Sequence, residues 1–157
     1  MYEKILLATD GSDDALRAAG RVIELQKKYG SKVVIFHSIE HHMLQKTIPL
    51  GIGFGSANHY TVPTVDYNKI RAEYEREGKA ILEKTKSMFN GEFGPVETRL
   101  IKGEEPEDYI KRTVKEEDFD LVALGCKGNH SKLKRIFLGT VATKVLNEAP
   151  CDVLIVR

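Results

Sequence analysis

Five short apolar runs constrain this chain more than any other feature. They are "KILLAT" at 4–9, "KVVIFHSIE" at 32–40, "VETRLIKG" at 96–103, "DLVALG" at 120–125 and "CDVLIVR" at 151–157. Runs of this length, rich in Val, Ile and Leu, read as strands, and near-continuous hydrophobicity means that helices cover both faces. Helical spacing fills the gaps between them. Ala15, Ala18, Ala19, Val22 and Ile23 fall on one face; Ile70, Tyr74, Ile81, Leu82 and Met88 form a second; Tyr109, Ile110 and Val114 form a third; a shorter pattern follows Gly139. Strand and helix in alternation predict an α/β fold, an open five-stranded parallel sheet with helices on both faces. Right-handed crossovers leave few topologies. In the order 3-2-1-4-5 the first and fourth strands are neighbours and the fifth is an edge.

Local signals set the expected boundaries. Ser12 suits a helix N-cap, and Asp13 and Asp14 suit the positive end of its dipole. Gly30 suits the stop of that helix, and Pro106 the first turn of another. One stretch has no period: 41–67, with glycines recurring in "PLGIGFGSANHY". A structureless run of that length is uncommon inside a compact domain and is usually functional or disordered, so it is expected to be a long loop, either a lid or disordered. Residues 1–157 otherwise read as a single domain.

Whole-chain properties narrow the function. A net charge of +1 gives no global attraction to nucleic acid or to a membrane surface. No apolar run approaches the ~18 residues of a membrane span, and the N-terminus lacks a signal peptide's long apolar region. Cys126 and Cys151 form no CxxC. They are expected at opposite edges of a parallel sheet, and a strand of five residues rises about 16 Å, whereas a disulfide needs Cα atoms within about 7 Å. The expectation is a reduced, cytoplasmic protein.

Ligands of open parallel sheets bind beyond the carboxyl ends of the strands, where the strand order reverses. Two turns fall there. One is "TDGS" after the first strand; the other is "LGCKGNHSKLKRIFLGT" after the fourth. Gly125, Gly128 and Gly139 punctuate the second, with Lys127, His130, Lys132, Lys134 and Arg135 between them. Converging backbone N–H groups, glycines that let the chain curl, and a helix N-terminus together suit phosphate. Thr140, opening the fourth helix, brings a hydroxyl and an amide, and Asp10 across the crevice can accept from ribose hydroxyls. Plainer readings exist for each part: turn glycines, a solvated basic surface, and Asp10 as a helix cap. Neither the P-loop pattern nor the dinucleotide fingerprint is present. His41, His42 and His59 have no carboxylate or cysteine at a metal-ligand spacing and read as part of a solvated loop. His37, inside an apolar strand, reads as a satisfied buried imidazole.

"KILLATDGS", "VVIFHSIE", "KGEEPEDYIKRTVKEEDFDLVALGCKG", the glycine loop and "APCDVLIVR" together resemble the universal stress protein family, in its ATP-binding branch, over nearly the whole chain. The resemblance implies a Rossmann-like fold of the adenine nucleotide alpha hydrolase type. It implies Asp10 at ribose or base, Ser38 at adenine through its backbone, and Gly125, Gly128, Gly139, Thr140 and Val141 around the phosphates. It implies ATP, with Mg2+ or Mn2+ held by phosphates and water. Two departures stand out: ten residues separate Gly128 from Gly139, one more than the family pattern has, and Ser38 replaces a usual apolar residue.

Three functions remain to compare. The first is a nucleotide-binding regulatory or stress-response protein, acting by conformation or partner binding with little or no hydrolysis, at most a slow ATPase. The second is an enzyme of the ATP pyrophosphatase type, but "ATDGSDD" lacks that class's phosphate loop, and no nucleophile or general base emerges. The third is a nucleotide-free dimeric scaffold. The edge run from Cys151 to Val156 is apolar apart from Asp152. Such an edge invites pairing, so a homodimer through that strand is expected, with Leu154→Pro as the change that disrupts it.

Overall fold

The computed structural model describes residues 1–40, 64–128 and 138–157, and the backbone of two short strands between the first two ranges. In chain order the elements are β1 (Lys4–Ala8), α1 (Asp13–Tyr29), β2 (Lys32–Ser38), β3 (Thr47–Pro49), β4 (His59–Thr61), α2 (Thr64–Lys86), β5 (Val96–Ile101), α3 (Pro106–Glu117), β6 (Leu121–Gly125), α4 (Thr140–Glu148) and β7 (Asp152–Val156). The main sheet has the order β5-β2-β1-β6-β7, every pair parallel. Counting only its own strands, that is the expected 3-2-1-4-5.

Side-chain alternation divides the core in two. Ile5, Leu7, Val33, Ile35, Leu121 and Ala123 point toward α1 and α2, where they meet Ala18, Ala19, Val22 and Leu82. Leu6, Val34, Phe36, Val122 and Leu124 point the other way, toward Tyr109, Ile110 and Val114 of α3 and Ala142 and Val145 of α4. Each fully buried Leu, Ile or Val contributes roughly 1.5–3 kcal/mol, and both faces of the central strands collect it. That is why these strands read as unbroken apolar runs.

The caps stand where local chemistry places them. Ser12 Oγ accepts from the Ala15 N–H at 3.3 Å, and Gly30 ends α1 at φ +69°. Pro106 opens α3, and Asp118 closes it in the left-handed region. Both cysteines are free thiols.

Two expectations change. The periodless stretch was expected to run through residue 67, but α2 already begins at Thr64, and β3 and β4 pair antiparallel inside the stretch. Its role as a lid, and the placement of its histidine side chains, lie outside the described residues. Met88 was expected on the buried face of α2. It follows the end of that helix and is 39% exposed.

Candidate functional site

The turns after β1 and β6 meet because their strands are neighbours in the sheet. Glycine allows the approach at two points, in two different ways. A Cβ on Gly125 would lie 2.7 Å from the Ala15 nitrogen and 2.9 Å from the Asp14 carbonyl carbon. At that position β6 ends against the first turn of α1, backbone to backbone. A Cβ on Gly128 would instead lie 2.8 Å from Asp10 Oδ2. Here a carboxylate on one turn occupies the space beside the other turn.

Hydrogen bonds lace the two turns together. Ser12 Oγ donates to the Lys127 carbonyl at 3.3 Å, and the Lys127 N–H donates to Asp14 Oδ2 at 3.1 Å. The Ser12 N–H donates to Asp10 Oδ1 at 3.0 Å, which fixes the carboxylate over its own turn. The Cys126 N–H donates to the Val156 carbonyl at 2.7 Å, so the same loop is also bound to β7.

The far end of the glycine loop returns to its start. The Gly139 N–H donates to the Cys126 carbonyl at 2.9 Å. The extra residue between Gly128 and Gly139 therefore leaves the two ends of the loop closed on each other. Gly139 is also the N-cap of α4 and offers no side-chain cap. The first amides of that helix, those of Thr140 and Val141, belong to the set that an α-helix leaves without internal partners, and the helix dipole is positive there. Thr140 is exposed and Val141 half-buried.

Ser38 ends β2, on the other side of β1. It is buried, and its Oγ donates to the Glu104 carbonyl at 2.6 Å while accepting from the Glu40 N–H at 3.3 Å. The hydroxyl that makes this position polar is thus turned into the fold by the loop after β5. The structure brings Asp10, Gly125, Gly128, Gly139, Thr140 and Val141 to one end of the sheet, with Ser38 one strand away. His130, Lys132, Lys134 and Arg135 lie outside the described residues. Among the described residues no cluster of His, Cys, Asp and Glu could hold a metal ion.

His37 is the satisfied buried imidazole that the sequence suggested, but its place beneath the Asp10 turn, and that of Thr85, was not foreseen. His37 Nδ1 lies 2.8 Å from the Thr9 carbonyl. A carbonyl can only accept, so Nδ1 carries the proton in this contact. Burial lowers the His37 pKa from its ordinary 6.5, against the opposing pull of the Thr9 carbonyl and the Asp10 charge, so the ring is neutral at pH 7. Thr9 Oγ1 lies 3.2 Å from Thr85 Oγ1 of α2. Ser12 and Asp14 were visible as helix-start residues, but nothing local signals that they also hold Lys127.

A sequence model of the universal stress protein family matches residues 1–157. The chain belongs to that family. It is 32% identical to the universal stress protein YxiE of Bacillus subtilis over 157 residues, covering 100% of both chains. Among solved structures it is similar to the universal stress protein UspA from Lactobacillus plantarum, with a TM-score of 0.78, 19% identity, and 99% and 98% of the two chains covered. It is also similar to the universal stress protein from Archaeoglobus fulgidus in complex with dAMP, with a TM-score of 0.66, 24% identity, and 99% and 98% covered. At these identities the likeness of structure establishes the Rossmann-like fold. Among the described residues, no helix is long and apolar enough to cross a membrane.

Proposed function

We propose that this universal stress protein binds an adenine nucleotide, with ATP as its ligand, across the carboxyl ends of β2, β1 and β6, and acts as a nucleotide-dependent regulatory protein. One observation carries the reading. The Asp10 carboxylate and the side-chain-free face of Gly128 share a single space, and the Gly139 N–H bond brings the N-terminus of α4 to the same loop. In this reading Asp10 is the sugar acceptor and the start of α4 the phosphate-binding end, both at one switch point.

The parts take separate roles. Asp10 accepts from ribose hydroxyls. The Ser38 backbone meets adenine; its hydroxyl is engaged by the Glu104 carbonyl and adds no specificity of its own. The Thr140 and Val141 amides and the Thr140 hydroxyl receive phosphate oxygens, and Gly128 keeps a side chain out of their path. Gly125 serves the site by letting the loop lie against α1. Mg2+ or Mn2+, when present, is held by phosphates and water and offsets phosphate charge. The dAMP held by the Archaeoglobus protein supports an adenine nucleotide as the ligand class.

Hydrolysis is expected to be slow or absent. Phosphoryl transfer needs a positioned nucleophile besides charge stabilisation. Asp10 is assigned to the sugar, and His37 is buried with its Nδ1 bonded to the Thr9 carbonyl. Calorimetry with ATP, AMP and dAMP in the presence of Mg2+ tests the binding. A micromolar dissociation constant corresponds to about −8 kcal/mol. No heat and no thermal shift at millimolar nucleotide would favour the nucleotide-free scaffold instead. Rapid steady-state phosphate release that is abolished by a change at Thr140 would overturn the assignment as a non-enzyme.

A second element of the reading is a homodimer through β7. Among the described residues, that strand has one neighbour in the sheet. Beside it runs a groove of about 630 Å³ whose lining includes Tyr2, Arg21, Leu25, Leu154 and Val156. An apolar strand edge is covered at both copies by one two-fold contact.

A further inference from the structure

We propose that Thr85, on α2, is a positioning residue for the nucleotide site, acting through Thr9 on the Asp10 turn. This rests on the reading that Asp10 holds the ribose. Thr85 is fully buried and Thr9 nearly so, so the direction of their hydrogen bonds follows from counting protons. Thr85 Oγ1 lies 2.9 Å from the Ile81 carbonyl, which can only accept. The one hydroxyl proton of Thr85 is therefore committed to α2 itself. At the 3.2 Å contact between the two hydroxyls, Thr9 must then be the donor and Thr85 the acceptor. Thr9 Oγ1 in turn accepts from the Gly11 N–H at 3.3 Å.

The result is a single directed chain: Gly11 N–H to Thr9, Thr9 to Thr85, Thr85 to the Ile81 carbonyl. It begins inside the turn whose next bond, Ser12 N–H to Asp10 Oδ1, sets the carboxylate. The packing repeats the connection. The Ile81 side chain lies against Gly11, where a Cβ would sit 3.2 Å from Ile81 Cγ1. Gly78, one turn earlier on α2, lets the helix approach so closely that a Cβ there would fall 2.8 Å from His37 Cδ2, and His37 donates to the Thr9 carbonyl. Gly78, Ile81 and Thr85 share one face of α2, and all three bear on the Thr9–Gly11 segment directly or through His37. A threonine back-bonded inside a helix is a poor helix former. On a face otherwise made of Gly78, Ile81 and Leu82, its hydroxyl accounts for itself as the acceptor that Thr9 needs.

Thr85→Val keeps the shape and removes the acceptor. Thr85→Ser keeps the hydroxyl and removes only a methyl group. Amide hydrogen exchange of Gly11 and Ser12 in the nucleotide-free protein, and calorimetric titration with ATP, are measured on both and on the unmodified chain. Expected results are roughly tenfold faster exchange at Gly11 and Ser12 and roughly tenfold weaker ATP binding in Thr85→Val, as for one lost buried hydrogen bond, with both near normal in Thr85→Ser. A general loss of stability would instead raise exchange throughout the core strands. Unchanged exchange at Gly11 in a folded Thr85→Val protein, faster exchange with unchanged affinity, or equal losses in Val and Ser variants would each overturn the proposal. If the unmodified chain binds no ATP, the nucleotide reading fails, and exchange at Gly11 alone decides whether Thr85 positions the turn. Should Thr85→Val not fold, Thr85→Ala, which cannot overpack, is read in the same way.

Discussion

The middle of the sheet and its edge are built from the same kind of strand and finished in opposite ways. At the carboxyl ends of β1 and β6, the turns are bound to each other through Ser12, Asp14 and Lys127, and a glycine of one lies beside a carboxylate of the other. Among the described residues, β7 pairs with a strand on one side only. The Asp152 N–H donates to the Asp120 carbonyl, and the Val156 carbonyl accepts from the Cys126 N–H. Alternate residues of a parallel strand turn their polar groups to the same neighbour, so Asp152, Leu154 and Val156 face β6 while Val153 and Ile155 face outward. In the middle, the described turns are hydrogen-bonded to each other. At the edge, the described residues place a strand on one side of β7 only.

The sharpest way to break this contrast is to add a side chain at each of the two central glycines. In Gly125→Val the new atoms meet backbone of α1 at 2.7 Å, which cannot move without shifting the helix. Stability should fall by about 3 kcal/mol or more, read as a lower urea midpoint. In Gly128→Val the new Cβ meets, among the described residues, the Asp10 carboxylate, the end of a flexible side chain. Stability should hold to within about 1 kcal/mol, while displacement of Asp10 and obstruction of the phosphate path should weaken ATP binding at least about tenfold, or 1.4 kcal/mol. Equal stabilities for the two variants would remove the distinction between a packing glycine and a ligand glycine.

Proline separates the two sides of β7. Leu154→Pro, the change that the sequence suggested for disrupting a dimer, deletes an N–H that faces β6. It should therefore destabilise the fold itself by about 1–3 kcal/mol. Ile155→Pro deletes an outward N–H and is the cleaner probe, because proline is tolerated where the donor side of an edge strand faces away from the sheet. Light scattering should find the unmodified chain dimeric at micromolar concentration and Ile155→Pro monomeric, with a smaller loss of stability than in Leu154→Pro, because the Ile155 side chain still leaves the core but no hydrogen bond to β6 is lost. A dimer that survives Ile155→Pro places the interface elsewhere.

The smallest effect is one of pH, and it belongs to the middle alone. His37 titrates below its ordinary 6.5 in the folded chain because burial disfavours the charged ring. The unfolded chain then takes up a proton first as pH falls. Stability should be level above about pH 7, decline as pH drops through 6.5, and level off once the folded imidazole also titrates, with a slope of at most about 1.4 kcal/mol per pH unit. Denaturant titrations at pH 7.5 and 5.5 should show this decline, and His37→Asn should reduce it. The last strand, "CDVLIVR", carries no histidine, so dimerisation through it should not follow the same curve.

Much of this molecule is written locally. β-branched runs and helical spacing determine the strands and helices, and Ser12, Gly30, Pro106 and Gly139 mark helix ends by side-chain or backbone chemistry that acts within a turn. The handedness of the crossovers narrows the sheet to few topologies, and in the order 3-2-1-4-5 "TDGS" meets the glycine loop. The family resemblance supplied the individual roles within the loop. Tertiary structure alone decided what each of those residues touches. Gly125 and Gly128 are indistinguishable as letters; one lies against α1 and the other beside Asp10. Leu154 and Ile155 are equally apolar, and only the register with β6 determines which N–H points outward. Thr85 looks like any residue near a helix end, and its contact with Thr9 joins positions 76 residues apart. Periodicity carries information over the length of one element, whereas hydrogen bonds and close backbone approaches between elements depend on distances that exist only once the sheet is assembled.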